Sequence, residues 1–305
     1  MLPRQRRHTR WMVWGPFAVF CVLVSNSWWL LSGTTDGPPS ISKQSCFYSV
    51  AGIIALTIAY RPLWERLRNR EFVCLQLAAV SILLFGLPTA VGAWTQSGVP
   101  DESQVALFAL APFVVVAVAM SREPLVSEEF GIGRFFVPAL AGFGGALFLL
   151  TFRFPVSARE WTMFGGVLVV VVMVGFASVW IYRLLREFGI VEAFAVVCLS
   201  NAVFLSLCVL FSGESWSGAF SLISLSSLYN LLELVLLVWL FRELSPVRLA
   251  ARFLVVPLLL VLEGLVILRP ALTMRIAAGL ALMLCSAGYL LFSRRQDSDA
   301  ALSIR

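Results

Sequence analysis

Residues 253 to 275 read FLVVPLLLVLEGLVILRPALTMR. Thirteen of the first sixteen are aliphatic or Phe, yet the run holds a proline at Pro257 and a carboxylate at Glu263. A glutamate in mid-span costs about 3 kcal/mol on insertion scales, while each aliphatic residue returns about 0.3 to 0.6 kcal/mol, so the segment still inserts as a membrane helix. The acid must then face protein or water and not lipid. Pro257 lacks the amide that a helix bond uses and clashes with the carbonyl four residues back, which predicts a kink. Gly264, beside the acid, lets another helix or a ligand come close.

Similar apolar runs recur near 12–31, 46–60, 72–95, 104–120, 135–152, 161–182, 191–211, 220–241, 253–268 and 273–292. About 20 such residues cross a bilayer as a helix, so the pattern predicts ten spans. The second and ninth runs are short and must tilt little, extend into polar flanks or pack where the protein is thin. With 60% hydrophobic and 13% charged residues, the chain has far more apolar surface than one soluble core could hide. No linker is long enough for a soluble domain. The first run follows RQRRHTR and lacks a small-x-small cleavage site, and it reads as a retained anchor.

The net charge of +6 raises the question of nucleic acid, but the basic residues sit in short loops between spans. With the amino terminus inside, eighteen of the twenty-three fall on one side, Arg252 among them. Lys43, Arg153, Arg159, Arg269 and Arg275 fall on the other. The positive-inside rule therefore places both termini in the cytoplasm, with the chain in the cytoplasmic (inner) membrane. All ten tryptophans lie at span ends or in loops, as expected of headgroup-level anchors.

Polar residues at membrane depth mark a candidate pathway for solute or protons. In SLISLSSLYNLLELVLLVWLF, Ser226, Tyr229, Asn230 and Glu233 recur at three- and four-residue intervals and share a face. Asn201 in the seventh run and Asn26 in the first are further candidates, as is Glu263. The alternative for each is interhelical hydrogen bonding that holds the bundle together, at about 0.6 kcal/mol apiece. Six cysteines without a CxxC pair read as small apolar fillers. The single histidine, His8, and the aspartates at 36, 101, 297 and 299 lie outside the spans. That excludes a histidine-based metal site and a buried Asp/His catalytic pair, so no cofactor, no metal and no enzymatic activity are expected. Gly142, Gly144 and Gly145, and the Ala277–Ala281–Cys285 ladder, are expected to permit close helix packing.

The most polar stretch between the middle runs is SREPLVSEEFGIGR, residues 121–134, and it is read as the divide between two five-helix units, 1–125 and 126–305. VPDESQVALFALAPFVVV and SPVRLAARFLVVPLLLV share a loop proline and then an intramembrane one: Pro100 and Pro112, Pro246 and Pro257. An odd number of spans per unit inverts the second copy, the plan of many secondary transporters.

With SNSWWLLSG, RPLWERLRNR, ALAPFVVVAVA and VVPLLLVLEG…AAGLALMLCSAGYLL, the chain resembles the EamA-type permeases of the drug/metabolite transporter superfamily over almost its whole length. It departs from them at Arg269 and Pro270, where the family commonly carries a glutamate. The resemblance implies an all-α fold of ten helices in two inverted repeats that moves a small organic solute by alternating access. Proton coupling through Glu263 or Glu233, and a homodimer, remain open. The competing readings are a flippase of a lipid-linked intermediate and a non-transporting membrane scaffold with a degenerate transporter fold.

Overall fold

A computed structural model describes residues 11–31, 40–122, 132–150, 152–216, 225–268 and 273–293. Among them the chain is helical, with no strand. The helices are α1 (Trp11–Leu31), α2 (Ile41–Asn69), α3 (Glu71–Ser81), α4 (Leu87–Thr95), α5 (Asp101–Phe108), α6 (Ala111–Arg122), α7 (Phe136–Leu149), α8 (Ala158–Leu184), α9 (Ile190–Ser212), α10 (Leu225–Glu243), α11 (Pro246–Ala250), α12 (Arg252–Leu268) and α13 (Met274–Phe292). Seven helical stretches are long and apolar enough to cross a bilayer, some formed by two consecutive helices. The chain is therefore an all-α, multi-pass membrane protein.

Every apolar run of the sequence carries a helix. The short second run lengthens into its polar flanks, giving the 29 residues of α2, about 43 Å at 1.5 Å per residue. Its start is fixed by Ser40, whose hydroxyl accepts from the Lys43 amide. Ser157 and Thr273 cap α8 and α13 in the same way. α9 ends at Gly213, whose φ of 67° is the left-handed turn that glycine enters without a Cβ penalty.

Two helix pairs run antiparallel in close contact. α2 packs on α9, with Ser42 bonded to Glu214, Ser45 to Ser206, and Arg66 paired with Glu192 at 2.7 Å. Gly52 makes the approach possible, because a Cβ there would stand 2.9 Å from Leu199 Cδ2. α7 packs on α13 through Gly145 and Gly279, where a Cβ on either would meet the other's carbonyl oxygen at 3.0 Å. Arg275 closes this pair by donating from Nε to the Phe148 carbonyl at 2.9 Å, at the end of α7. Gly144 has nothing within 4 Å of its Cβ position, so of the three glycines it alone does not serve the packing. The buried face of α13 carries Gly279, Met283, Ser286, Ala287 and Leu290. Ala281 and Cys285 are exposed, and the expected Ala277–Ala281–Cys285 ladder is not the contact face.

Beyond these pairs, α1 lies on α10 and α12, α8 lies on α3, α4 and α6, α9 also lies on α3, and α12 on α13. The fourth run is interrupted at Ala109–Leu110 between α5 and α6, and a break at Ala251, between α11 and α12, comes just before the ninth. The first break comes just before Pro112, which has no amide to bond to the Phe108 carbonyl. The second comes at Ala251, and α12 then runs on through Pro257. A third irregularity is the π-helical turn Ile82–Gly86 between α3 and α4. Only four of the apolar runs precede residue 125, the fifth being α7. A five-and-five division therefore falls between Leu149 and Ala158 and not at 125.

Candidate membrane-embedded polar site

α1 is the meeting point of the polar residues that the sequence places on the eighth and ninth runs. Ser25, 1% exposed, donates its hydroxyl to Glu263 Oε1 of α12 at 2.9 Å, with the Val22 carbonyl a second acceptor at 3.1 Å. Tyr229 of α10 donates its hydroxyl to the Leu23 carbonyl at 2.5 Å. A serine and a backbone carbonyl of one helix thus tie down two others. Asn230 is half-buried beside Tyr229. Glu233, one turn further along α10, is also half-buried, and its charge acts on Tyr229, on Tyr48 of α2 and on Arg252.

Arg252 is the site residue that the sequence reading assigned to a loop. It is 7% exposed, with its guanidinium carbon 4.8 Å from the Phe241 ring centroid and 4.6 Å from that of Phe253. Desolvated cation–π contacts of this kind are worth about 2 kcal/mol. Its Nη1 finds no hydrogen-bond acceptor among the described residues. The break at Ala251 makes Arg252 the first residue of α12 and carries it inside the bundle. The available signal was its setting, LAARFLVV, in which no other polar residue follows Arg248 until Glu263.

Asn201 belongs to a different place. It is wholly buried where α9 meets the π-helical turn, and its Nδ2 donates to the Val197 carbonyl at 2.7 Å. Ser81 and Ser200 bridge the same two helices at 2.7 Å. A Cβ on Gly86 would lie 2.7 Å from Asn201 Oδ1, so backbone and side chain are in direct contact there. Asn201 Nδ2 also reaches Ser81 Oγ of α3 at 3.4 Å, an interhelical contact of the kind expected if the residue holds the bundle together. The side chain of Asn26 lies outside the described residues. Among the described residues no group of three His, Cys, Asp or Glu is placed to hold a metal ion.

Two surface depressions flank this interior. One, of about 240 Å³, is lined by Gln96, Arg153 and Glu160 at a loop end. The other, of about 300 Å³, is an apolar cleft over the α2/α9 seam, lined by Ser49, Ile53, Val203 and Leu207. Neither is lined by Glu233, Arg252 or Glu263.

No protein-family model matches the chain, and no curated protein matches it in sequence. Solved structures do match in shape. One crystal structure superposes with a TM-score of 0.60 at 17% identity, covering 94% of this chain and 100% of its own. At that identity the likeness concerns the fold alone.

Proposed function

We propose that the chain is an EamA-type permease of the drug/metabolite transporter superfamily, moving a small organic solute across the cytoplasmic membrane by alternating access between two inverted five-helix halves. The observation that carries this reading is the packing scheme. Numbered by apolar run, the second pairs with the seventh and the fifth with the tenth, while the first lies on the eighth and ninth and the sixth lies on the third and fourth. Adding or subtracting five exchanges the first-run pairs with the sixth-run pairs and returns the second–seventh and fifth–tenth pairs to themselves. The seventh run's further contact on the third has no comparable counterpart between the second and the eighth. The fourth and ninth runs, which correspond under that exchange, have a helix break inside the one and just ahead of the other, at Ala109–Leu110 and Ala251. A pseudo-two-fold axis in the membrane plane produces such a scheme.

The seam between the halves is where the expensive polar groups gather. Ser25 and Tyr48 come from the first half, and Tyr229, Glu233, Arg252 and Glu263 from the second. Intramembrane ionisable residues concentrate on substrate and ion routes, which makes this group the candidate pathway and Glu233 or Glu263 the candidate proton carrier. The cleft over α2 and α9 does not favour a lipid flippase, because the helices beneath it are in tight contact at Gly52. Metabolite profiling of cells with and without the protein, followed by uptake and efflux assays in vesicles, tests the reading. A solute whose distribution depends on the protein, and whose flux is lost when the seam residues are changed, supports it. Unchanged metabolite pools and no flux in either direction would leave a scaffold role.

A further inference from the structure

Arg252 presents an unresolved requirement. A guanidinium withdrawn from water and left without hydrogen-bond acceptors costs several kcal/mol in a real protein interior. The ion pairs formed among the described residues, Arg66 with Glu192 and Arg70 with Glu187, leave Arg252 out. Glu233 acts on it electrostatically, and two phenyl rings lie against it, yet Nη1 donates to no described acceptor. The residue opens the 17-residue helix α12, with one residue between it and the end of α11. The site thus combines a buried cation with an unused donor and apolar aromatic walls. Its chemical complement is a planar anion with two oxygens, attached to an apolar body.

We propose that Arg252 is the seat for the carboxylate of a small organic monoanion, with the Phe241 and Phe253 rings stacked on the guanidinium that receives it. This rests on the permease reading and names the substrate class for it. A single guanidinium suits a monoanion better than a dianion. A neutral analogue of the same shape lacks the charge that the site is built to meet.

The full chain, purified into phosphatidylcholine nanodiscs, is titrated with acetate, phenylacetate and octanoate, and in parallel with phenylacetamide, while thermal unfolding is followed. Saturable stabilisation is expected from phenylacetate or octanoate and not from phenylacetamide. Arg252→Gln should abolish it. Arg252→Lys keeps the charge and loses the planar fork, and should weaken binding about tenfold or more, which keeps the test decisive if the glutamine variant fails to fold. No stabilisation by any of the three carboxylates, or stabilisation that survives unchanged in Arg252→Lys, overturns the seat. That failure leaves the permease reading to the flux assays. Conversely, carboxylate binding at Arg252 without flux of any solute would overturn the permease reading and keep the seat.

Discussion

Ser25 and Glu263 stand 238 residues apart in sequence and are joined by a 2.9 Å hydrogen bond between α1 and α12. The neighbouring bond from Tyr229 to the Leu23 carbonyl makes α1 the common anchor of α10 and α12. Membrane hydrogen bonds of this kind average about 0.6 kcal/mol, so Ser25→Ala should lower thermal stability only slightly. Glu263→Gln keeps an acceptor for Ser25 but cannot ionise. If Glu263 carries a proton or meets solute, vesicle transport by this variant should fall about tenfold or more, with expression unchanged. Glu263→Leu suits the membrane better and should insert at least as well as the parent. Parent-rate transport in both Glu263 variants would reduce the acid to helix packing.

The helices were legible in the sequence because membrane insertion reads local hydropathy, and each apolar run became helix. Depth and partner were not. Arg252 looked like one more loop cation because the break at Ala251 that carries it inward follows from packing, while the visible proline is six residues further on. The spacing of Tyr229, Asn230 and Glu233 suggests a shared face, but nothing local says that α1 lies opposite Tyr229. On α13 both Ala277–Ala281–Cys285 and the Gly279–Met283–Ser286 stripe have helical spacing. The choice between them is made by Gly145 and Gly142 on α7, more than a hundred residues earlier. The polar stretch at 121–134 looked like a divide because composition marks loops, and composition does not say which loop separates the halves.

Gly86 ends the π-helical turn against α9, where a Cβ would stand 2.7 Å from both Asn201 Oδ1 and Phe204 Cδ1. Asn201 is wholly buried and held by the Val197 carbonyl, so it has little room to retreat. Gly86→Ala should cost about 1 to 3 kcal/mol through overpacking, read as a lower unfolding temperature in detergent. Combining it with Asn201→Ala should recover part of that loss, because the second change vacates the clashing oxygen. A double variant no more stable than additivity allows would show that the contact is not the cause.

The α7/α13 seam offers a sharper contrast. A Cβ on Gly279 would meet the Gly145 carbonyl oxygen and the Leu149 amide nitrogen, both at 3.0 Å, and backbone atoms cannot rotate away. Gly279→Val should therefore separate the helices and reduce the yield of folded protein. Gly144→Ala, one position from Gly145 with open space at its Cβ, should leave stability at the parent level or slightly above it, since alanine favours the helix. Equal effects of the two substitutions, measured by thermal unfolding, would contradict the packing described here.

The charge distribution predicts the orientation of the chain, and the structure bears on the basic residues that count against it. Of the five basic residues assigned to the outer side, Arg275 is engaged with the α7 carbonyls through Phe148 at 2.9 Å, and Arg159 reaches Ser97 at 3.5 Å. Part of that outer minority therefore serves packing, while the inner majority includes the exposed cluster at the end of α2, where Arg66 and Arg70 meet Glu192 and Glu187. Reporters fused after residue 305 or within 61–70 should accordingly read cytoplasm, and those within 34–45 or 96–103 should read the outside. The carboxyl terminus is the decisive position, because it counts the crossings. Among the described residues seven helical stretches are membrane-length and apolar on their own, and a ten-span chain needs α1, α7 and α10 to cross as well. A carboxyl terminus on the same side as 61–70 requires an even number of crossings. Finding it opposite would mean that α7 or α10 does not cross, and the proposed five-and-five arrangement would fall with it.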